Sequence, residues 1–338
     1  MSPSEPCAAP PRRHKLLSLA NAVARYTFDG MQYAPGGALP VGAESVAFGR
    51  EMIRQGRRNL HVVATCASQQ LNLLCAAGAV AKAECGFSGL EVYGFANGLR
   101  RAVESGQTLL EDYSNLAMTL RFLGGALNWP FVPTNTAIGS DIQWHHAAEP
   151  AEYPSRTKIP EIVDPFTGRV VGALQPLRPD LAAIHVTFSD PLGNAIMLGT
   201  EWSRFELSRA AKKVVLVADH IVSTDCMRQY PNLVRIPDIV VDAVVHTPFA
   251  AWPQCSPGLY DSDEAHMKLL NDALRTAEGY NEYRRQFIDP VATPADLLRI
   301  IGVENAERLT KGPTSFLADP FRRWLLSDTT INALLEAN

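Results

Sequence analysis

Short, uninterrupted apolar runs constrain this chain more than any other feature. Val62-Val63-Ala64, Ala182–Phe188, Val214–Ala218 and Ile239–Val245 show little of the polar–apolar alternation of a half-exposed strand. A strand of that kind is covered on both faces, as in a parallel sheet. Between the runs lie segments with helical spacing, at 15–26, 43–56, 69–77, 95–105, 115–127 and 204–212. Shorter strands are expected near 30–35, 83–87, 108–110 and 131–132. Strand alternating with helix implies βαβ units. The expected fold is α/β, a largely parallel sheet flanked by helices. From 263 onward the pattern turns helical, beginning with one long helix over 263–287 and forming a helical C-terminal tail.

Three regions follow: a Pro-, Ser- and Ala-rich lead over 1–14, expected to be disordered, a main domain over 15–300, and a helical extension over 301–338. Residues 145–180 are polar and proline-rich. They read as an excursion holding one hairpin, Ile162-Val163 to Val170-Val171, turned at Asp164–Gly168. No internal repeat is present. The net charge of -4 comes without a basic tract, which argues against nucleic acid as a partner. Six cysteines without a C-x-x-C pair read as free thiols in a reducing compartment. Arg12, Arg13 and Lys15 precede an apolar run, Leu16–Ala20, that is shorter than a secretory core. No stretch is long enough to span a membrane. The expected location is the cytoplasm.

Open parallel sheets bind ligands beyond the carboxyl ends of their strands. That rule selects Gly36-Gly37, Cys66–Gln70, Phe87–Gly89, Tyr113–Asn115, Asn135–Asp141 and Ser189–Asn194. Each has a plain alternative. Gly36-Gly37 suits close approach of backbone to a ligand, or a tight turn alone. Asn135–Asp141 suits hydrogen bonding to a carbonyl or phosphate, or is an ordinary loop. Ser114 is a natural N-cap with Glu111 and Asp112 favouring a helix start, while Asn115 could present its amide to a developing oxyanion. His145-His146 reads as a surface pair, because neighbouring residues ligate one ion poorly and no third ligand stands at a recognised spacing; no metal is expected. His185 reads as a core histidine and Asp261–Glu264 as a helix start. Neither G-x-S-x-G nor H-E-x-x-H occurs. The chain lacks a complete catalytic set, which points to a binding protein or to half of an active site.

Several motifs in order resemble the A subunits of class I CoA-transferases of the glutaconate type. They are Asp29-Gly30-Met31, Gly36-Gly37 and Glu51–Gly56; Ser105-Gly106, Glu111–Asn115, Trp129–Pro133 and Gly139-Ser140; Asp164–Phe166, Ile184-His185 and Ser189–Asn194; and Val241–Val245, Pro248, Gln254-Cys255 and Gly258–Asp261. The resemblance runs over about 15–300. It implies a class I CoA-transferase fold, a homologous B (β) partner subunit, and an (AB)2 heterotetramer. The nucleophilic glutamate is then expected on the B subunit, where it would form a glutamyl-CoA thioester while CoA moves between carboxylic acids. No cofactor is held permanently, and the coenzyme A thioester is substrate. Asn115 stands where the family has a glutamine and takes the role of oxyanion amide. The expected acyl-CoA-facing set is Gly36, Gly37, Ala38, Cys66, Ser68, Ser88, Gly139 and Ser140. A related ring-cleaving hydrolase branch has Glu at the Asn115 position. The family's charged residues after the glycine pair are absent from Ala38–Glu44, which points away from a dicarboxylate such as glutaconate. Hydrolysis, decarboxylation or C–C cleavage of an acyl-CoA, and a non-catalytic CoA-responsive role, are the alternatives.

Overall fold

The computed structural model describes residues 13–37, 43–144, 158–312 and 315–337. The strands are β1 (Leu16–Leu17), β2 (Gln32–Gly36), β3 (Leu60–Ala67), β4 (Val80–Ser88), β5 (Leu109–Asp112), β6 (Val132–Thr134), β7 (Glu161–Val163), β8 (Val170–Leu174), β9 (Leu181–Ser189), β10 (Ala195–Ile196), β11 (Val214–Ile221), β12 (Val234–Ile236) and β13 (Ala243–His246). The main sheet runs β1-β13-β11-β9-β2-β3-β4-β5, and every neighbouring pair along it is parallel. β10 attaches antiparallel to β9 and β12. β6, β8 and β7 form a separate antiparallel sheet, with Ile162 opposite Val171 in the expected hairpin.

Successive residues of the central strands enter opposite cores. Tyr33, Val62, Ala183 and Val215 pack with Phe48, Met52 and Leu71. Their neighbours Ala34, Val63, Ile184 and Leu216 pack with Met118, Phe122 and Leu207. Side chains alternate across a strand, so burial on both faces is what makes these runs apolar throughout. Each Val, Leu or Ile buried this way contributes about 1.5–3 kcal/mol. The C-terminal extension joins the same cores: Ile331 packs in the second, and Leu309 packs with Trp252 and Tyr260.

Some expectations are corrected. Residues 15–26 are not one helix. Leu16-Leu17 pairs with Val244-Val245 as a strand, and Ser18 then caps a helix over Leu19–Tyr26 by accepting from the Asn21 N–H. The helix expected over 263–287 is two, Glu264–Ala273 and Ala277–Phe287. Thr276 adopts an extended conformation and accepts from the Gly279 N–H, restarting the helix. The run 239–245 begins as a 3-10 turn over Asp238–Val240, because Asp242 is turned back to accept from the Val214 N–H and the Lys213 ammonium. Glu111 and Asp112 end β5, where they hold the buried Lys158 at 2.8 and 3.0 Å. Asp263 does cap its helix, taking the His266 N–H. His185 is buried, and Asp219 holds its Nε2 at 2.7 Å; Nδ1 has no partner. The N-terminal lead through residue 12 and His145-His146 lie outside the described residues. Among those described, no helix is long and apolar enough to cross a membrane.

Candidate functional site

Because the main strands run parallel, β2, β3, β4 and β5 all end along one edge. Three of them are followed directly by helices: Val46–Arg54, Gln69–Ala76 and Asn115–Ala126. Asn115 opens the last of these. Ser114, in extended conformation, caps it by accepting from the Ala117 N–H at 3.0 Å. The structural and the functional reading of Ser114-Asn115 therefore coexist. The cap aims Asn115 outward, and Asn115 is exposed. Its Oδ1 accepts from the Cys66 thiol at 3.3 Å. Among the described residues its amide Nδ2 meets no partner, which leaves a donor facing away from the fold.

Cys66 is 1% exposed. Burial pushes its thiol up to about 11, against the opposing pull of the Asn115 bond. It is a protonated donor at neutral pH, not a thiolate nucleophile. Trp202 covers it. That tryptophan sits at φ +48, a conformation rare for bulky residues, and its buried Nε1 has no partner. Ser203 beside it bonds Thr65 at 2.6 Å and Thr119 at 2.9 Å, tying the loop to β3 and to the helix that Asn115 opens. Glu91 is exposed, at φ +50, and near enough for its charge to act on Cys66.

Gly36 and Gly37 stand at the end of β2. A Cβ on Gly36 would lie 2.8 Å from the Ile184 Cα, and one on Gly37, at φ +152, would lie 2.4 Å from the Ala43 carbonyl. Both glycines are required by the fold itself. The turn delivers Glu44, which is buried. Its two oxygens each accept from a backbone N–H, of Ser68 and of Gln70, both at 2.8 Å. Burial pushes Glu44 up to about 7 while these bonds pull it down. The Ser68 hydroxyl accepts from Gln254 at 3.1 Å. Ser68 and Gln70 therefore face Glu44, under the edge on which Asn115 is exposed. Ala38 lies outside the described residues.

Ser88 ends β4 opposite Ala67. Its Oγ is buried without a partner, at the wall of a largely apolar groove of about 460 Å³ shared with Phe95, Leu99, Val103 and Leu110. Gly139 and Ser140 lie in the loop after β6. The Gly139 N–H donates to Gln143 at 2.7 Å and the Ser140 hydroxyl to Ala137 O at 2.7 Å. Thr136 of this loop approaches Ser114 at 3.4 Å, which brings the loop beside the helix start. Asn115 and Cys66 thus meet directly. Ser68, Gly36 and Gly37 join through Glu44, and Gly139 and Ser140 approach from the second sheet.

Sequence reasoning missed four residues here. Gly86 leaves the space Asn115 occupies: a Cβ there would lie 2.4 Å from the Asn115 nitrogen and Oδ1. Glu44 organises the glycine turn, Trp202 covers Cys66, and Glu91 supplies an exposed carboxylate. Only Gly86 carried a local signal, a glycine inside a strand pattern, which often marks close approach of another group.

With this geometry, the sheet and the site belong to a known class. The Coenzyme A transferase family profile matches residues 16–247, more than half of the chain, and the protein belongs to that family. It is 27% identical over 297 residues to the A subunit of glutaconate CoA-transferase from Acidaminococcus fermentans, covering 85% of this chain and 92% of that one. An uncharacterized Archaeoglobus fulgidus protein is 36% identical over 299 residues, 88% of this chain. The chain spans 64% of that relative's length. The crystal structure of the Acidaminococcus enzyme superposes with a TM-score of 0.84 at 24% identity, over 94% of this chain and 99% of that one, and establishes the shared fold.

Proposed function

We propose that this chain is the A subunit of a heteromeric CoA-transferase that moves CoA between carboxylic acids, with the nucleophilic glutamate on a B subunit. The observation that carries the reading is the exposed Asn115 amide. A capped helix start holds it beside Cys66, while the buried carboxylates nearby are already engaged: Glu44 by backbone N–H groups, Glu84 by Arg121, Glu111 by Lys158. A donor for an oxyanion is present without a matching buried nucleophile, which suits half of a shared site. A fixed amide of this kind lowers the barrier by meeting charge as it develops on the thioester oxygen.

Exposed apolar side chains surround this edge. Phe87, Val92, Phe95 and Leu116 are 43%, 90%, 74% and 56% exposed. Such a patch is suited to a partner surface, and a B subunit docked here would bring its carboxylate toward Asn115. An (AB)2 heterotetramer is the assembly we infer, with a coenzyme A thioester as substrate and no resident cofactor. The Acidaminococcus relative, itself one half of a two-chain enzyme by name, supports the partner. The residues next to Asn115 and Cys66 include Trp202, Phe87 and Leu116, and these favour a monocarboxylate or bulky acyl group over a dicarboxylate. The free thiols suit the cytoplasm.

One observation favours a second reading. Glu91 carries a carboxylate close to Cys66, where it could serve as a general base for hydrolysis of an acyl-CoA. The deciding experiment offers the chain, co-expressed with its B subunit, a panel of acyl-CoAs with and without acetate. Acetyl-CoA formed only when acetate is present supports transfer. Free CoA or a shortened acyl-CoA without acceptor, lost in Glu91→Gln, supports the second reading.

A further inference from the structure

Helix Val46–Arg54 begins two residues after Glu44. On it, Arg50 is 2% exposed, and Nε, Nη1 and Nη2 are all buried without a hydrogen-bond partner. A buried guanidinium normally has its donors paired, since an uncompensated charge away from water is costly. What Arg50 does have is a face: its Cζ stands 4.8 Å over the Trp252 ring. That contact offsets part of the charge and none of the donors.

The acids around it are turned elsewhere. Glu51 accepts from Arg54 at 2.6 Å and from Gln55 at 2.8 Å. Asp263 accepts from Trp252 Nε1 at 3.1 Å, from Asn305 at 2.8 Å and from the His266 N–H. Asp296 is held by Thr293 and Arg299. His266 supplies no counter-charge: burial, with the Arg50 charge adding to it, lowers its pKa to about 3. Tyr283 lies near enough for Arg50 to oppose the upward push of burial on its phenol, yet no bond of good geometry joins them.

Arg50 lines a small cleft with Ala47, Thr247, Val291, Pro294 and Leu297, with about 20 Å³ of free interior. Glu51 borders it too. The Thr247 hydroxyl is likewise buried without a partner. Two unrelated elements, the helix and the end of β13, thus bring unpartnered hydroxyl and guanidinium groups to one cleft. The space is that of about one small particle. A water there would satisfy donors and leave the charge uncompensated.

We propose that the cleft between helices Val46–Arg54 and Pro294–Ile301 binds a single small anion of the halide class, held by the Arg50 guanidinium and the Thr247 hydroxyl. The site is separate from the Asn115 edge and independent of the reaction assigned there. Its occupancy steadies the Arg50–Trp252 stack, and through the following chain Gln254, which holds Glu44 and Ser68.

The test compares the thermal midpoint of the full chain in sodium chloride or bromide with that in sodium gluconate at equal ionic strength. The expected result is a saturable halide-dependent rise of about 2 °C or more. Arg50→Met should abolish the halide response whatever its own midpoint. Thr247→Val should shift the response to about tenfold higher halide, and it decides the matter if Arg50→Met does not fold. Crystals grown in bromide should show anomalous density between Arg50 and Thr247. An equal halide response in wild type, Arg50→Met and Thr247→Val overturns the proposal. So does bromide density with no thermal response, which means binding at crystal concentration only, or a cleft filled by water alone.

Discussion

Gly86→Ala perturbs Asn115 without touching it chemically. The added Cβ would stand 2.4 Å from the Asn115 nitrogen and Oδ1 and 2.6 Å from its Cα. Ordinary contact begins near 3.4 Å, so the helix start must retreat by about 1 Å, the scale at which misplacement of a catalytic group costs on the order of 100-fold in rate. The helix cannot translate as a whole, because Met118 and Phe122 are locked in the core. The displacement therefore concentrates in the Ser114 cap and Asn115. Overpacking of this kind costs about 1–3 kcal/mol of stability. The assay is steady-state CoA transfer by the assembled complex, beside a thermal melt of each variant. Gly86→Ala should reduce turnover about 100-fold while the protein remains folded. Asn115→Ala should cost on the order of 100-fold or more, and the double variant should be little worse than the worse single one, since both act on one group. Turnover of Gly86→Ala within about twofold of wild type would refute the reasoning and remove Asn115 from the oxyanion role.

The remaining predictions concern stability and reactivity. Lys158→Met leaves Glu111 buried and short of its cation, and should lower the unfolding free energy by about 3–5 kcal/mol in chemical denaturation; a loss below about 1 kcal/mol would show that the pair is not desolvated. Burial raises the folded pKa of Glu44 from 4.5 to about 7. The folded state then binds the extra proton between these values, so stability falls as pH rises from about 4.5 to 7 and levels off above. The contribution is at most about 3 kcal/mol, less whatever the two N–H donors return. Glu44→Gln should flatten that slope, and an unchanged pH profile of the melt would show that Glu44 is ionised throughout. Cys66, held protonated by burial, should resist iodoacetamide at pH 7.5 in the native protein, with Cys255, the one described cysteine that is not fully buried, reacting sooner; rapid labelling of Cys66 located by mass spectrometry would contradict its assignment as a thiol donor.

Much of this architecture was legible before any coordinates. The runs at 62–64, 182–188 and 214–218 announce strands covered on both sides, because a strand with a wet face has to alternate. The hairpin at 162–171 was legible from its Asp164-Pro165 and Gly168 turn chemistry, and the caps at Ser114 and Asp263 from their side-chain oxygens. The break at Thr276 and the strand at Leu16-Leu17 were not. Local apolar spacing there fits a helix, and the decision rests with Ser18, Thr276 and a ladder to Val244 more than two hundred residues away.

For the site the division is similar. Asn115 stands out in the sequence through its place after a strand and its motif neighbours, and the family is legible from motifs spread along the chain. Tertiary structure alone shows that Gly86 makes room for it, that Trp202 and Cys66 pack beneath it, and that Ser68 is turned toward Glu44. It alone leaves the Arg50 guanidinium without a partner. Short-range pattern reports what each segment must bury. Which distant groups then meet, and whether a buried charge finds its counterpart, depends on contacts between strands far apart in the chain.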